Sequence, residues 1–419
     1  MNVRFQPFYR WTQRAILSVG FFVGAMTFSQ LARSQEIAAE KHHSPPMPGQ
    51  LSKVPPGNSS SGNLPPVPLD VEAAGEFLDI RGVGDAALAV SHQQPFRLTD
   101  ALPLDMYPEG LPANFGALLD RFDPTGLTYR GDFTYINWET AVGNECSEFW
   151  ASPAPGVFAF VSHPANLVEA YERGFNLIGL ANNHTRDCIV GENMDGTLMS
   201  VRHMEQLGGK QSLSWLWHGI GERDAATVQT LTVKGREVKV AFASLYVGGG
   251  DCSYITCVSD TEIVLRSLAD ADADIRILAL HSWDESTQQE LVSIGTRFIR
   301  DFDGDIVFGH GPHTWEPVRL VRSNSGKQGV LFESLGDFIH PNLGGGADNF
   351  IGRVLFDLET LEVRQVQAIP IFVDGAIVTF NGAANPLQVP SAEGWQLVDD
   401  ASWRGAVSPN ARGAYFNVP

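Results

Sequence analysis

From Glu76 onward the chain alternates two patterns of apolar and polar positions. Short runs rich in Val, Ile, Leu and Phe (FLDIRGVGD, FTYINWE, FNLIGLANN, VKVAFASLY, IRILALHS, DIVFGHG and GVLFESLGDF) read as strands, and most stop abruptly at polar residues. Between several of them PANLVEAYERG, MDGTLMSVRHMEQLG, TEIVLRSLADA and STQQELVSIGTRFIRDF place apolar residues at helical spacing. Strands alternating with helices predict an α/β fold. TVQTLTVKGREVKVAFASL and EPVRLVRSNSGKQGVLFESL read as hairpins instead, so the sheets are expected to be mixed.

Two N-terminal segments break this pattern. Residues 1–34 begin with MNVRFQPFYRWTQR, which holds three arginines and no acid. They continue through apolar AILSVGFFVGAMTF to the small residues Ala32 and Ser34, the layout of a secretory signal peptide, with an uncleaved N-terminal anchor as the alternative. Residues 35–74 carry eight prolines between Pro45 and Pro68, spaced by Ser, Gly and Asn. Such a composition cannot bury enough apolar surface to offset its ordering entropy, so it predicts a disordered linker in which His42 and His43 are incidental. The body is expected to be secreted, periplasmic or in the cell envelope.

Composition narrows the partners. At 419 residues and 43% hydrophobic, the chain is long enough for a large core. A formal net charge of −19 excludes nucleic acid, because no sequence-wide basic field exists to release counterions. A polyanionic substrate would need local neutralisation, which bound cations would supply. Cys146, Cys188, Cys252 and Cys257 allow three disulfide pairings in an oxidising compartment. Cys252 and Cys257 flank SYIT at a spacing that closes a small loop. Zinc is the weaker reading of that pair, since no second thiolate or histidine pair lies nearby.

The polar residues fall at strand ends. Asp85 ends the first run, Asn137 and Glu139 the second, Asn182, Asn183 and His184 the third; His281 ends a later one, and His310 and His313 follow DIVFG. Ligand sites in open α/β sheets lie outside the carboxyl ends of strands, so these loops are expected to converge. Taken singly, each residue has a structural reading: Asp85 as a helix cap, Asn183 in an Asx-turn, His281 packed in the core. GLANNHTRDC in particular reads either as a turn or as a metal-site loop. Together an Asp, a Glu, an Asn and three His offer oxygen and nitrogen donors that suit Mn, Fe, Zn or Mg. Six ligands exceed the needs of one catalytic ion, so two divalent ions sharing a carboxylate are expected, a pair that can activate water and clamp phosphoryl oxygens.

The segments GVGDAALA, INWETAVG, GFNLIGLANNHTRDCIVGENMDGT, HSWDES, DIVFGHGPHTWEPVRLV and VLFESLGDFI resemble, in order, those of the CapA-type capsule (poly-γ-glutamate) synthesis family. That family's fold is similar to the calcineurin-like metallophosphoesterases. The resemblance implies an α/β/β/α sandwich with mixed sheets over residues 75–372, followed by a C-terminal extension at 373–419. It implies Asp85, Glu139, Asn183, His281, His310 and His313 as metal ligands, with Glu139 the bridging or second-motif carboxylate. His184 would face the substrate as general acid or phosphate donor, and Asp187 would orient His184 or fix the loop. Three departures stand out. Gly311 occupies the place of the middle histidine in GHHPH, HSWDES replaces HWGxE and so moves a tryptophan to 283, and Asp337 replaces the Asn of SLGNF.

In that fold Cys146 and Cys188 each follow a motif brought to one sheet edge, so they are expected to pair, leaving Cys252 with Cys257. Two functional classes follow. The first is a metal-dependent hydrolase of phosphoester or amide bonds in capsule or extracellular polymer synthesis. The second is a polymer-binding or assembly factor of the envelope that keeps the metal site for structure or carboxylate binding. The partner is then an envelope polymer or a phosphoester.

Overall fold

The computed structural model describes residues 77–86, 88–91, 96–97, 115–150, 158–191, 194–210, 213–221, 225–282, 284–340, 347–375, 377–380, 387–391, 394–397, 407–408, 411–412 and 414–418. The expected signal peptide, the linker with His42 and His43, and Trp283 lie outside the described residues. Among the described residues no helix is long and apolar enough to cross a membrane.

Strands β1 (Phe77–Ala86), β2 (Phe133–Trp138), β3 (Leu177–Gly179) and β4 (Leu216–His218) lie parallel in the order β4-β3-β2-β1. The chain then crosses to a second sheet through the hairpin β5 (Thr227–Val233) and β6 (Arg236–Tyr246). It continues as β7 (Ile275–His281) and β8 (Ile306–His310), then a second hairpin, β9 (Trp315–Arg322) and β10 (Gln328–Leu335). Neighbours β6, β7, β8 and β10 are parallel, so both hairpins read from the sequence make this sheet mixed. β11 (Ala347–Asp357) and β12 (Val363–Asp374) return to the first sheet, β11 antiparallel to β1. Downstream, β13 (Ile377–Phe380) pairs with β12, β14 (Leu387–Ser391) with β9 and β15 (Gly394–Leu397) with β14, and β16 (Ala414–Asn417) returns to β12. The C-terminal segment therefore adds strands to both sheets.

Side chains alternating along each strand build the layers, because successive residues point to opposite faces. Leu78 and Ile80 of β1, Phe133 and Tyr135 of β2, Ile277 of β7 and Phe308 of β8 fill one core between the sheets. Val83 and Ile136 face outward and are covered by α1 (Phe115–Phe122), α2 (Pro164–Glu172) and α3 (Gly196–Lys210), which supply Leu118, Leu167 and Met204. Leu278 and Leu280 face the other way, under α4 (Thr261–Asp270) and α5 (Glu285–Phe302), which supply Leu265 and Phe298. The result is the α/β/β/α sandwich implied by the resemblance. Tyr135 stacks on Phe308 across the inner core with centroids 4.8 Å apart. Truncating such a ring costs about 3–5 kcal/mol.

One edge joins the sheets. The register of β1 against β2 shifts between Gly82 and Asp85, a bulge that re-aims the strand end. Asp85 N then donates to Gly336 O at 2.8 Å, and Phe338 N donates to Asp85 O at 2.8 Å. A Cβ on Gly84 would sit 1.8 Å from Gly336 O, so this approach requires glycine. α5 begins at the same edge, where Asp284 accepts from Thr287 N as a helix cap.

Candidate metal centre

Register explains why the candidate residues meet. Asp85 lies opposite Asn137 on β2, and Asn137 opposite Gly179 on β3, so the loop after β3 starts beside both. In the other sheet His281 ends β7 directly opposite His310 at the end of β8. The Asp85–Gly336 contact draws the two strand-end rows together.

The structure gathers Asp85, Glu139, Asn183, His281, His310 and His313 into one cluster. Asp85 and Glu139 are fully buried. Asp85 Oδ1 lies 3.3 Å from His310 Nδ1 and 3.6 Å from His281 Nδ1, and Oδ2 lies 3.8 Å from His313 Nδ1. His281 Nε2 lies 3.5 Å from Glu139 Oε1 and 2.7 Å from Asn183 Oδ1. Donor atoms of Asp85, Glu139 and His313 all fall within 4.8 Å of one another. Asn137, noted in the sequence only as a strand end, donates through Nδ2 to Asp85 Oδ1 at 2.6 Å and lies 3.2 Å from His281 Nδ1.

GLANNHTRDC divides its two readings between neighbours. Asn182 builds the turn: its Nδ2 donates to Trp138 O at 3.0 Å and its Oδ1 accepts from His184 N at 3.1 Å. Asn183 instead reaches His281. His184 Nδ1 lies 2.5 Å from Asp187 Oδ2, and its Nε2 lies 3.9 Å from Glu139 Oε1. Asp187 Oδ2 also accepts from Phe160 N at 2.7 Å, so the carboxylate both holds the ring and anchors the loop. Two residues escaped the sequence reading of the site. Asp337, visible only as a departure from SLGNF, places Oδ1 2.9 Å from His313 Nδ1. His340 is fully buried, with Nε2 3.4 Å from Glu139 O and its ring 4.8 Å from Phe160; no motif or periodicity marked it.

Gly311 has a structural reason. Its φ is +118°, and a Cβ there would lie 2.4 Å from Ser282 O, so this backbone does not admit a histidine. His313 itself adopts the left-handed region at φ 57°, a cost of order 1–3 kcal/mol that the surrounding structure must offset.

The electrostatics test the cluster as a cation site. Asp85 Oδ2, both Glu139 carboxylate oxygens and both His310 ring nitrogens are buried without a hydrogen-bond partner. Native proteins rarely leave such atoms orphaned without an ion, a water or a catalytic role. Burial alone would raise the Asp85 carboxyl, but His281, His310 and His313 outweigh it and hold it below its ordinary range. Burial, then repulsion from Asp85, pushes Glu139 well up. Burial likewise lowers His310 to about 4, against the pull of Asp85, which leaves its ring neutral and able to donate a lone pair. Burial would lower His313, but the Asp337 hydrogen bond and the surrounding carboxylates raise it. Two carboxylates and the neutral His310 imidazole with its unused lone pair fit a divalent cation, whose charge would release the Glu139 and His313 protons.

The disulfides pair Cys146 with Cys188 and Cys252 with Cys257, at Cα separations of 5.7 and 5.9 Å. This is the expected pairing, and the first bridge ties the loop after Glu139 to the loop after His184.

The family model for the bacterial capsule synthesis protein PGA_cap matches residues 83–342. A novel phosphatase from Mycoplasma pneumoniae is 13% identical and aligns over 71% of this chain and 95% of its own, with a TM-score of 0.40. A hypothetical protein from Thermus thermophilus is 14% identical and aligns over 71% of this chain and 100% of its own, with a TM-score of 0.39. At those scores neither likeness bears on what this chain does. No curated protein matches the sequence.

Proposed function

This chain belongs to the bacterial capsule synthesis protein (PGA_cap) family, and from that premise we propose that it is an exported, metal-dependent hydrolase acting on phosphoester or amide bonds in an extracellular polymer. The observation that carries the reading is the set of orphaned oxygens and nitrogens on Asp85, Glu139 and His310, buried beside a His184–Asp187 pair. In this reading the donors serve two divalent ions. His281, with Asn183 at its Nε2, lies between Glu139 and Asp85, and His310 and His313 lie against Asp85. When bound, such ions activate water and neutralise charge developing on the reacting group.

The remaining work falls to the chain's own side chains. Asp187 fixes the His184 ring through Nδ1, leaving Nε2 turned toward the cluster to hold or give a proton at the leaving group. Asp337 orients His313, and Asn137 orients Asp85, as outer partners of metal ligands do. The cysteine bridges and the export expectation agree, since disulfides persist in oxidising compartments.

Elemental analysis of the purified protein, with turnover of a generic phosphodiester and of γ-glutamyl amides, tests this. About two divalent ions per chain are expected, at least one of them lost in His310→Ala. His184→Ala should keep the metal and lose rate by about 10²-fold or more. Unchanged metal content in both His310→Ala and Asp85→Ala sinks the site. Full metal without turnover of any substrate leaves a polymer-binding or assembly role in its place.

A further inference from the structure

Tyr246 ends β6 directly opposite His281, which ends β7, so it belongs to the same row of strand ends as the cluster. The two ring centroids lie 6.1 Å apart. The phenol ring is packed with Ala181, Ile255 and Cys257, and the residue is only 7% exposed. The main chain is held on both sides: Tyr246 N donates to Thr256 O at 2.9 Å, and Val247 N donates to His281 O at 2.8 Å. The side chain lines a cavity of about 180 Å³ whose wall also includes Asn183 and Asp187, so the cavity opens beside a ligand of the cluster and the anchor of His184.

Packing accounts for the ring but not for the hydroxyl. It makes no hydrogen bond among the described residues, although a buried tyrosine hydroxyl ordinarily finds a partner. Two other donors in the same wall are spent: Asn182 Nδ2 donates to Trp138 O at 3.0 Å, and Arg186 pairs with Asp195 at 2.7 Å and with Asp251 at 2.8 Å. The chain also keeps room for the phenol. A Cβ on Gly248 would fall 2.0 Å from the Tyr246 oxygen, and its three nearest neighbours would all be atoms of that side chain. Gly248 lies outside the left-handed region, so the phenol rather than the turn is what requires glycine there.

We propose that the Tyr246 hydroxyl is a catalytic hydrogen-bond donor to the oxygen of the reacting group on which negative charge develops, a non-bridging oxygen of a phosphoester or the carbonyl oxygen of an amide. This rests on the hydrolase reading for the bond that is broken. An oxygen gaining negative charge is drawn toward the cluster by the cations assigned there, and a neutral phenol adds a directed donor that does not repel them. A phenol keeps its hydrogen at neutral pH, so Tyr246 lends a hydrogen bond throughout while the proton for the leaving group comes from His184.

Tyr246→Phe keeps the ring and its packing and removes the hydroxyl alone. It should keep the metal and lower kcat about tenfold or more with KM within about threefold, because a donor aimed at developing charge acts mainly in the transition state. Calorimetric binding of inorganic phosphate to the metal-loaded full chain should weaken about fivefold or more in the same variant. Gly248→Ala should lower kcat in the same way with the hydroxyl still present, since its methyl group takes the place of the phenol oxygen. Where wild type turns over a bond, an unchanged kcat in either variant overturns the proposal, and so does loss of metal in Tyr246→Phe. Where wild type turns over neither bond, the hydrolase reading fails and phosphate decides. Weaker binding by Tyr246→Phe then leaves the donor standing, while equal binding, or none by either protein, overturns it.

Discussion

Asp79 and Asp85 lie on the same strand, with side chains 13% and 0% exposed, and their surroundings differ in one respect. Asp79 takes two guanidinium forks: Arg81 and Arg353 each donate Nε to Oδ1 at 3.0 Å and Nη2 to Oδ2 at 2.7 Å. The network closes on itself, since Arg81 Nη1 also donates to Thr128 O and Arg353 Nη1 to Gln367 Oε1. The Asp85 carboxylate has one hydrogen bond from Asn137, imidazole nitrogens at 3.3 to 3.8 Å and a bare Oδ2. A buried carboxylate whose partners all come from the chain is architecture. One left short of partners is an atom reserved for something outside the chain.

The largest expected effect tests that distinction. Asp79→Ala leaves the buried Arg353 guanidinium unpaired and should cost about 3–5 kcal/mol in urea denaturation, with metal content unchanged in the folded fraction. Asp85→Ala should do the reverse, losing metal at a smaller stability cost to the metal-free protein than Asp79→Ala, because the favourable charges of His281, His310 and His313 that it forfeits are offset by relief of its repulsion on Glu139. Equal costs for the two variants in metal-free protein would erase the comparison.

A smaller effect separates site glycines from turn glycines. Gly311→Ala forces a Cβ to within 2.4 Å of Ser282 O at φ +118° and should cost about 1–3 kcal/mol. Gly191 has φ +60° and nothing within 4 Å of an added Cβ, so Gly191→Ala should cost about 1 kcal/mol or less. If thermal unfolding ranks them the other way, the substitution of glycine for histidine at 311 needs a reason other than backbone fit.

Much of this was legible because the site is made of strand ends. A run such as IRILALHS states its own termination, and a polar residue there is conspicuous against apolar neighbours. The strands β11 and β12 were not picked out, since NFIGRVLFDL is buried along nearly its whole length and shows no period-2 alternation. α1 is eight residues long, too short for a helical repeat to stand out. Asp337 and His340 could not be placed because their roles depend on where the β10 end meets β1, a contact between chain positions about 250 residues apart. Local pattern carries no information about that meeting.

The smallest expected effect is in acid. Burial alone would raise the Asp79 carboxyl, but the charges and hydrogen bonds of Arg81 and Arg353 outweigh it and hold its folded pKa below the ordinary value. With a depressed folded pKa, the unfolded chain binds the proton first as pH falls. The stabilisation is therefore complete above the unfolded value near ~3.9 and is lost as pH falls through the folded one. In that window one extra proton on the unfolded state gives a slope of at most ~1.4 kcal/mol per pH unit. Asp79→Asn, which cannot ionise, should lack this increment, so its urea midpoint should fall less steeply than that of wild type below about pH 4. Equal slopes in the two proteins would mean that the carboxylate is no more ionised in the fold than in the open chain, and that the two guanidinium forks hold it by geometry rather than by charge.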